Sequence, residues 1–174
     1  MKATKLFLTA CLIGSVAFTS CDKDDEETLN TTDRDFIMKT QVSNTAEVDA
    51  GTLASTKATN TAVKSFAQGM IGEHSTAQAD LKVLGANVGV SVKDSLDAPH
   101  VALRTQLAAL SGRAFDSVYI WSQSADHAMT LTNFQTEIAN GQHSDVVNYA
   151  SKYLPHIQMH KVRADSIATA YFRR

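Results

Sequence analysis

The sequence contains very little cysteine, since Cys11 and Cys21 are the only two in 174 residues. Everything after Cys21 therefore lacks thiols, which excludes disulfides, thiolate catalysis and cysteine-based metal sites from that part. Proline is equally scarce, with Pro99 and Pro155 alone. Few helix-breaking residues and 44% hydrophobic residues are typical of a helical globular domain.

An excess of charge of either sign is also missing. The formal net charge is −2, and beyond Glu27 the basic and acidic residues are equal in number. A near-neutral domain without a basic stripe does not favour binding to nucleic acid, so we expect no nucleic-acid partner. Without its first twenty residues the chain still has a length suited to one domain with a sizeable core.

The N-terminus has the pattern of an export signal. Lys2 and Lys5 precede an apolar run over residues 6–18, which is too short to span a membrane as a stable helix. The run ends in Thr19-Ser20-Cys21, which resembles the lipobox of bacterial lipoproteins. We therefore predict a signal peptide over residues 1–20 and lipidation of Cys21, which would anchor the protein to a membrane. A plain cleaved signal that happens to contain Cys21 is the alternative.

An acidic segment follows the cysteine. Residues 22–27 read Asp-Lys-Asp-Asp-Glu-Glu and offer no apolar side chain to bury, so residues 21–31 are predicted to form a disordered tether. Its Lys-Asp-Asp core resembles a surface-export signal of some Gram-negative bacteria, although a solvated spacer explains the same residues. The predicted location is the cell envelope, as an outer-membrane lipoprotein that is periplasmic or surface-exposed.

Residues 32–174 are predicted to form one all-α domain. Apolar residues recur at every third or fourth position along four long segments, which is the spacing of amphipathic helices. Thr32 and Ser144 are expected to cap the first and last of these helices, and Gly141 to end the third. The predicted ranges are 32–57, 60–84, 113–140 and 144 onward, with a short additional helix over 99–110.

The lengths of the connections predict the helix order. Two hairpins of long helices joined by one long crossover form the ferritin-like version of the four-helix bundle. The crossover, residues 85–112, would carry the short helix between the second and third long helices. A plain antiparallel bundle with an extra helix packed across it is the alternative. Gly69 and Gly72 are expected to permit close helix packing.

Each long helix carries one potential metal ligand on the stripe that is predicted to be buried: Glu47, His74, His127 and His160. Measured from the hairpin turns at about 1.5 Å per residue, their heights agree to about one helical turn within each hairpin. Three imidazoles and a carboxylate suit a single transition ion such as zinc, copper or iron. The alternative is that each histidine is hydrogen-bonded to a core neighbour and that Glu47 pairs with one of them.

Other polar residues have supporting roles in this interpretation. His156 lies one turn before His160 and is a candidate partner or alternative ligand. Asp116 and Tyr119 are candidates to hold the second nitrogen of a ligand, with surface exposure as the alternative for Asp116. His100 and His143 are expected to face solvent.

Several short motifs in order resemble the predicted outer-membrane family called domain of unknown function 4142, over about residues 33–168. They are Phe36, Ala46-Glu47-Val48, Lys64-Ser65-Phe66-Ala67 with Met70 and His74, Gly112, Phe115-Asp116, Tyr119, His127 and Leu154-Pro155 with His160. The resemblance implies an exported ferritin-like bundle in which Glu47 and the three histidines are recurring polar positions. It implies no established reaction.

The sequence departs from the di-iron ferritin pattern of two Glu-x-x-His pairs, because Ile71 and Ile157 stand three residues before His74 and His160. A di-iron centre is therefore not expected. Three functions stay open: a metal-binding envelope protein, a metal-dependent oxidoreductase helped by Tyr119, Trp121 and Tyr153, and a non-catalytic interaction or stress-related protein with a buried hydrogen-bond network. The sequence assigns no catalytic residue.

Overall fold

The chain forms an all-α structure, as predicted. A computed structural model describes residues 28–173, and within that range it contains five helices and no strand. The predicted signal peptide, Cys21 and most of the tether lie outside the described residues. The helices are α1 (Thr31–Lys57), α2 (Thr61–Asn87), α3 (Ala98–Ala109), α4 (Gly112–Asn140) and α5 (Ser144–Phe172).

The four long helices form two hairpins. Helix α1 packs along α2 and α4 along α5, while α1 faces α4 and α2 faces α5 across the bundle. The contact between α2 and α5 is less extensive than the one between α1 and α4. Residues 88–111 connect the hairpins and include α3, which packs on α1 and α4.

Each hairpin turn is hydrogen-bonded to a buried aspartate of the other hairpin. Asp116, near the start of α4, accepts hydrogen bonds from the backbone nitrogens of Thr59 (3.0 Å) and Asn60 (2.8 Å) in the α1–α2 turn. Asp33, near the start of α1, accepts one from the nitrogen of Gln142 (3.0 Å) in the α4–α5 turn. The alternative of a surface position for Asp116 is wrong, because the residue is 1% exposed and its carboxylate is occupied by these backbone donors.

Asparagine and histidine, rather than the predicted hydroxyl residues, begin two of the helices. The side-chain oxygen of Asn30 accepts a hydrogen bond from the backbone nitrogen of Asp33. The carboxylate of Asp33 accepts one in turn from the backbone nitrogen of Asn30, and the two bonds form a capping box. The ring of His143 accepts from the nitrogen of Asp145 at the start of α5. The predicted caps Thr32 and Ser144 therefore lie within the first turns.

The core consists of two apolar clusters with a polar layer between them. The first apolar cluster surrounds Phe66 and Phe115 near the α1–α2 turn, and the second surrounds Phe36 and Phe134 near the α4–α5 turn. On each long helix, buried polar residues stand between the two. We call this set the central polar layer: Asn44, Glu47, His74, Gln123, His127 and His160.

The glycine that permits close helix packing is Gly51, and the prediction of this role for Gly72 was wrong. A β-carbon at Gly72 would meet nothing within 4 Å, whereas one at Gly51 would lie 3.1 Å from the Ala67 carbonyl oxygen on the facing helix. Gly51 therefore permits the close approach of α1 to α2. Gly72 instead leaves open space on the side of α2 that faces α5.

The apolar stripe of α4 also ends differently from the prediction. Ile138 is 37% exposed, and Glu137 is the residue that is fully buried there. A buried carboxyl at this position was not foreseen, because the period of the stripe alone favours isoleucine.

Candidate metal centre

Three histidines from three helices meet in the central polar layer. His74, His127 and His160 are at most 3% exposed, and one ring nitrogen of each lies within 4.8 Å of those of the other two. Their ring centroids are 5.3 to 5.7 Å apart. Two nitrogens bound to one tetrahedral zinc ion at about 2.1 Å would be separated by about 3.4 Å. A small inward movement of the rings therefore suffices to hold an ion.

The ring of His74 is oriented by a chain of hydrogen bonds. Its Nδ1 lies 3.0 Å from Oδ1 of Asn44, whose amide nitrogen is 3.3 Å from both Oε1 of Gln78 and the hydroxyl of Tyr149. The hydroxyl of Tyr149 donates to the Ala77 carbonyl at 3.0 Å. Because the Asn44 amide has these acceptors, its oxygen faces His74 and Nδ1 carries the hydrogen. Nε2 of His74 is left with a free lone pair.

The other two rings are held in the same manner. Nδ1 of His127 donates to the Gln123 carbonyl at 2.9 Å, and Nε2 of His160 donates to Oε2 of Glu73 at 3.0 Å. The remaining nitrogens, Nε2 of His74, Nε2 of His127 and Nδ1 of His160, are buried and have no hydrogen-bond partner among the described residues. An acceptor on one nitrogen and a lone pair on the other is the usual arrangement of metal-binding histidines.

Burial keeps these imidazoles neutral. Burial, followed by the charge that His160 would carry, lowers the pKa of His127 to about 4. The pKa of His74 is lowered by burial and then by the neighbouring histidines. For His160, burial outweighs the opposing effect of Glu73, so that pKa is lowered as well. Neutral imidazole is the form that binds metal ions.

Glu47 lies beside His127 but outside the group of three converging nitrogens. Its Oε1 is 3.6 Å from Nδ1 of His127, which is too long for a hydrogen bond and is on the ring edge that faces the Gln123 carbonyl. Burial, followed by the charge of Asp126, raises the pKa of Glu47 well above its usual value. Burial and Asp126 thus favour the uncharged form of Glu47 beside the His127 ring. A role for Glu47 as a ligand stays a prediction.

The other candidates lie away from the three nitrogens. Asp116, near the start of α4, accepts from the α1–α2 turn, and Tyr119 packs against Phe66 with its buried hydroxyl unpartnered among the described residues. Trp121 donates to the Phe172 carbonyl at 3.3 Å. Asp116 and Tyr119 thus hold no nitrogen of a candidate ligand.

Glu73 is the functional residue that sequence reasoning missed. Its Oε2 accepts from His160 and also lies 3.2 Å from Nδ1 of His156, so His156 joins the site through the carboxylate, consistent with the partner role predicted for it. Hydrogen bonds from both histidines outweigh burial and lower the pKa of Glu73. The spacing of His156 and His160 by one turn was visible, but their shared acceptor on α2 required the packing of α2 against α5.

A cavity of about 420 Å³ opens between α2 and α5 beside the histidines. His74, His160 and Glu73 line it, together with apolar walls that include Phe134 and Ile157. His127 is not among its lining residues. The centre is therefore approached from the α2–α5 side, where the packing is least extensive.

These features define an all-α protein with three converging histidines in its core. The chain belongs to a family described as "Domain of unknown function (DUF4142)", whose model matches residues 19–167. The predicted family is thereby confirmed. The match includes Cys21 and all four long helices except the last residues of α5.

Among solved structures, the chain is similar to a DUF305 fragment from Deinococcus radiodurans. The TM-score is 0.72 at 9% sequence identity, and the match covers 82% of this chain and 99% of that one. At this identity the likeness concerns the helical fold alone. A comparison with curated proteins gave no match. None of the helices in residues 28–173 has the length and apolarity needed to cross a membrane.

Proposed function

We propose that this protein binds a single transition metal ion through His74, His127 and His160. The observation that carries the proposal is that three buried histidines bring their ring nitrogens together, and that each has one ring nitrogen without a hydrogen-bond partner among the described residues. A buried polar atom without a partner costs about 1–3 kcal/mol, so three together favour a common ligand. A cation satisfies all three lone pairs at once.

The donor set narrows the type of ion. Three neutral imidazoles suit zinc, copper or iron, and the ion would keep a position for a further ligand. Glu47 is the protein group predicted for that position. A di-iron centre needs bridging carboxylates, and the group of converging ligand atoms consists of histidines alone.

Elemental analysis of the protein without a histidine tag tests this proposal. We expect about one equivalent of a transition metal after loading, and its loss in His127→Ala. His100→Ala is a matched control, because His100 pairs with Asp97 at the start of α3 and is not one of the three converging histidines. Absence of metal in the loaded wild-type protein would refute the proposal.

A second candidate is a non-catalytic interaction or stress-related protein in which the polar layer only organises the core. The continuous hydrogen bonds from His74 through Asn44 to Tyr149 favour it. On this hypothesis, replacing all three histidines by Leu or Met leaves partner binding or the cellular phenotype unchanged. A folded triple variant that loses function would contradict it.

The third candidate is a metal-dependent oxidoreductase. The cavity beside His74 and His160 supports it, because an exchangeable ligand or substrate has room next to the ion. Tyr153 also lines this cavity, with its hydroxyl donating to Asp80 at 2.6 Å. A native ion that proves to be zinc with four protein ligands would rule this candidate out.

We further propose that the protein works in the cell envelope, as an outer-membrane lipoprotein anchored through Cys21 and facing the periplasm or the surface. The basic, apolar and small residues before Cys21 support this location. Mass spectrometry of the membrane fraction should find acyl chains on residue 21, and Cys21→Ser should release the protein from membranes. Protease treatment of intact cells then distinguishes the surface from the periplasm.

We also propose that the helix order is the ferritin-like one. In a simple up-and-down bundle a short loop would lead from α2 into an adjacent antiparallel helix. Here residues 88–111 intervene, and α4 begins beside the α1–α2 turn, where Asp116 accepts from Thr59. The order therefore matches two hairpins related by one crossover. An experimental structure with α4 beginning beside the end of α2 would refute it.

A further inference from the structure

We propose that Glu73 and His156 form an outer cation site at the mouth of the α2–α5 cavity, where a divalent transition ion binds before it reaches the core histidines. The inference rests on the proposed function and extends it. It assigns a role to two residues that lie outside the group of converging nitrogens.

The two residues lie between solvent and the core. The side chain of His160 is 3% exposed, that of Glu73 is 41% exposed and that of His156 is 52% exposed. A single oxygen, Oε2 of Glu73, contacts both histidines, at 3.0 Å to the inner ring and 3.2 Å to the outer ring. The three side chains thus form a continuous series of donor atoms from the surface to the buried centre.

The geometry of the outer pair suits a cation. Two donors at about 2.1 Å from one ion are typically about 3 Å apart, which is close to the separation of Oε2 in Glu73 from Nδ1 in His156. An ion could therefore replace the hydrogen that the two atoms share. A carboxylate at the mouth also attracts cations electrostatically.

The route beyond this pair is open to the core. Glu73, His156, His74 and His160 all line the same cavity. Beside Glu73, a side chain at Gly72 would meet no atom within 4 Å, so α2 presents no bulky group there. The next donors inward are Nε2 of His74 and Nδ1 of His160, both without partners among the described residues.

Cobalt(II) loading of the untagged protein tests the outer site. Stopped-flow absorption gives the rates of uptake and of release to a chelator, and competition with the chelator gives Kd. In His156→Ala we expect uptake and release both to slow by about tenfold, which corresponds to a barrier higher by about 1.4 kcal/mol. Kd should stay unchanged, because a group on the entry path changes the free-energy barrier for uptake and the barrier for release by the same amount.

Two further variants complete the design. His100→Ala removes a histidine that pairs with Asp97 and does not line the α2–α5 cavity, and it should leave both rates unchanged. Glu73→Gln should slow uptake and also weaken Kd, since His160 loses its carboxylate acceptor.

The outcomes separate this inference from the proposed function. Unchanged rates in His156→Ala would overturn the outer site, as would a weaker Kd at an unchanged uptake rate, which would make His156 a ligand. If the wild-type protein takes up no cobalt, the core centre itself fails, and the outer site fails with it.

Discussion

The central polar layer and the apolar clusters on either side of it are equally buried but are held together differently. In the second apolar cluster, Phe36 packs edge-on against Phe134 with ring centroids 4.9 Å apart. In the polar layer, the rings of His74 and His127 also meet edge-on, yet each leaves a nitrogen unpartnered among the described residues. The clusters thus gain their stability from packing within the chain, whereas the layer contains ring nitrogens that the proposed ion would satisfy.

The largest expected effect breaks an apolar cluster. Phe36 is 1% exposed, and Phe36→Ala removes a ring that contacts both Phe134 and Tyr149. We expect a loss of about 3–5 kcal/mol in the free energy of unfolding, measured by urea denaturation. Val83→Ala is the control, because Val83 is 63% exposed and should change stability by less than about 0.5 kcal/mol.

The next largest expected effect is the stabilisation of the protein by metal bound in the central polar layer. An ion at about 100 times its Kd should raise the free energy of unfolding of the wild-type protein by about 2.7 kcal/mol. In His127→Met this gain should vanish. Without metal the same variant should lie within about 1.5 kcal/mol of the wild type, since similar volume is kept. Equal stabilisation of both proteins by metal would contradict the contrast between layer and clusters.

A smaller effect is expected where a buried polar group is fully satisfied by the chain itself. Asp116→Asn replaces a carboxylate that accepts from the backbone of Thr59 and Asn60. We expect a loss of about 1–3 kcal/mol, independent of metal. Asp145→Asn, at an exposed position in the first turn of α5, is the control for a change of charge alone. A loss that disappears on metal addition would argue against this separation.

The smallest effect depends on pH and concerns Glu137. Burial, followed by the neighbouring Asp33, raises the pKa of Glu137 to about 8. The folded chain therefore holds a proton that the unfolded chain releases near pH 4.5, so this group's contribution to stability falls as pH rises from about 4.5 to about 8. Glu137→Gln should reduce the fall of stability with pH and raise the free energy of unfolding by on the order of 1 kcal/mol at pH 8. Thermal denaturation across this pH range measures both slopes, and parallel slopes would contradict the assignment.

Much of the fold could be predicted because helix periodicity and connection lengths are local properties of the sequence. The stripe positions of His74, His127 and His160 follow from that period, and all three are buried. The α3 range was predicted to within one residue, since Asp97 and Pro99 mark its start.

The rest of the site depends on packing between helices. Asn44 stood on the predicted stripe of α1 as a polar residue, but its role needs His74, Gln78 and Tyr149 to arrive from other elements. Glu73 lies off the stripe of α2, so periodicity placed it at the surface. Only the loose contact of α2 with α5 brings it between His156 and His160.

The reciprocal aspartates also govern how the bundle can move. Asp33 and Asp116 pin the hairpins together at opposite ends, while the cavity lies near the middle of the α2–α5 seam. Because these hydrogen bonds join the hairpins at both ends, α2 and α5 can separate only between the two ends. An ion that enters through this cavity would thus find the histidines at a fixed relative height, because hydrogen bonds at both ends oppose sliding of one hairpin along the other.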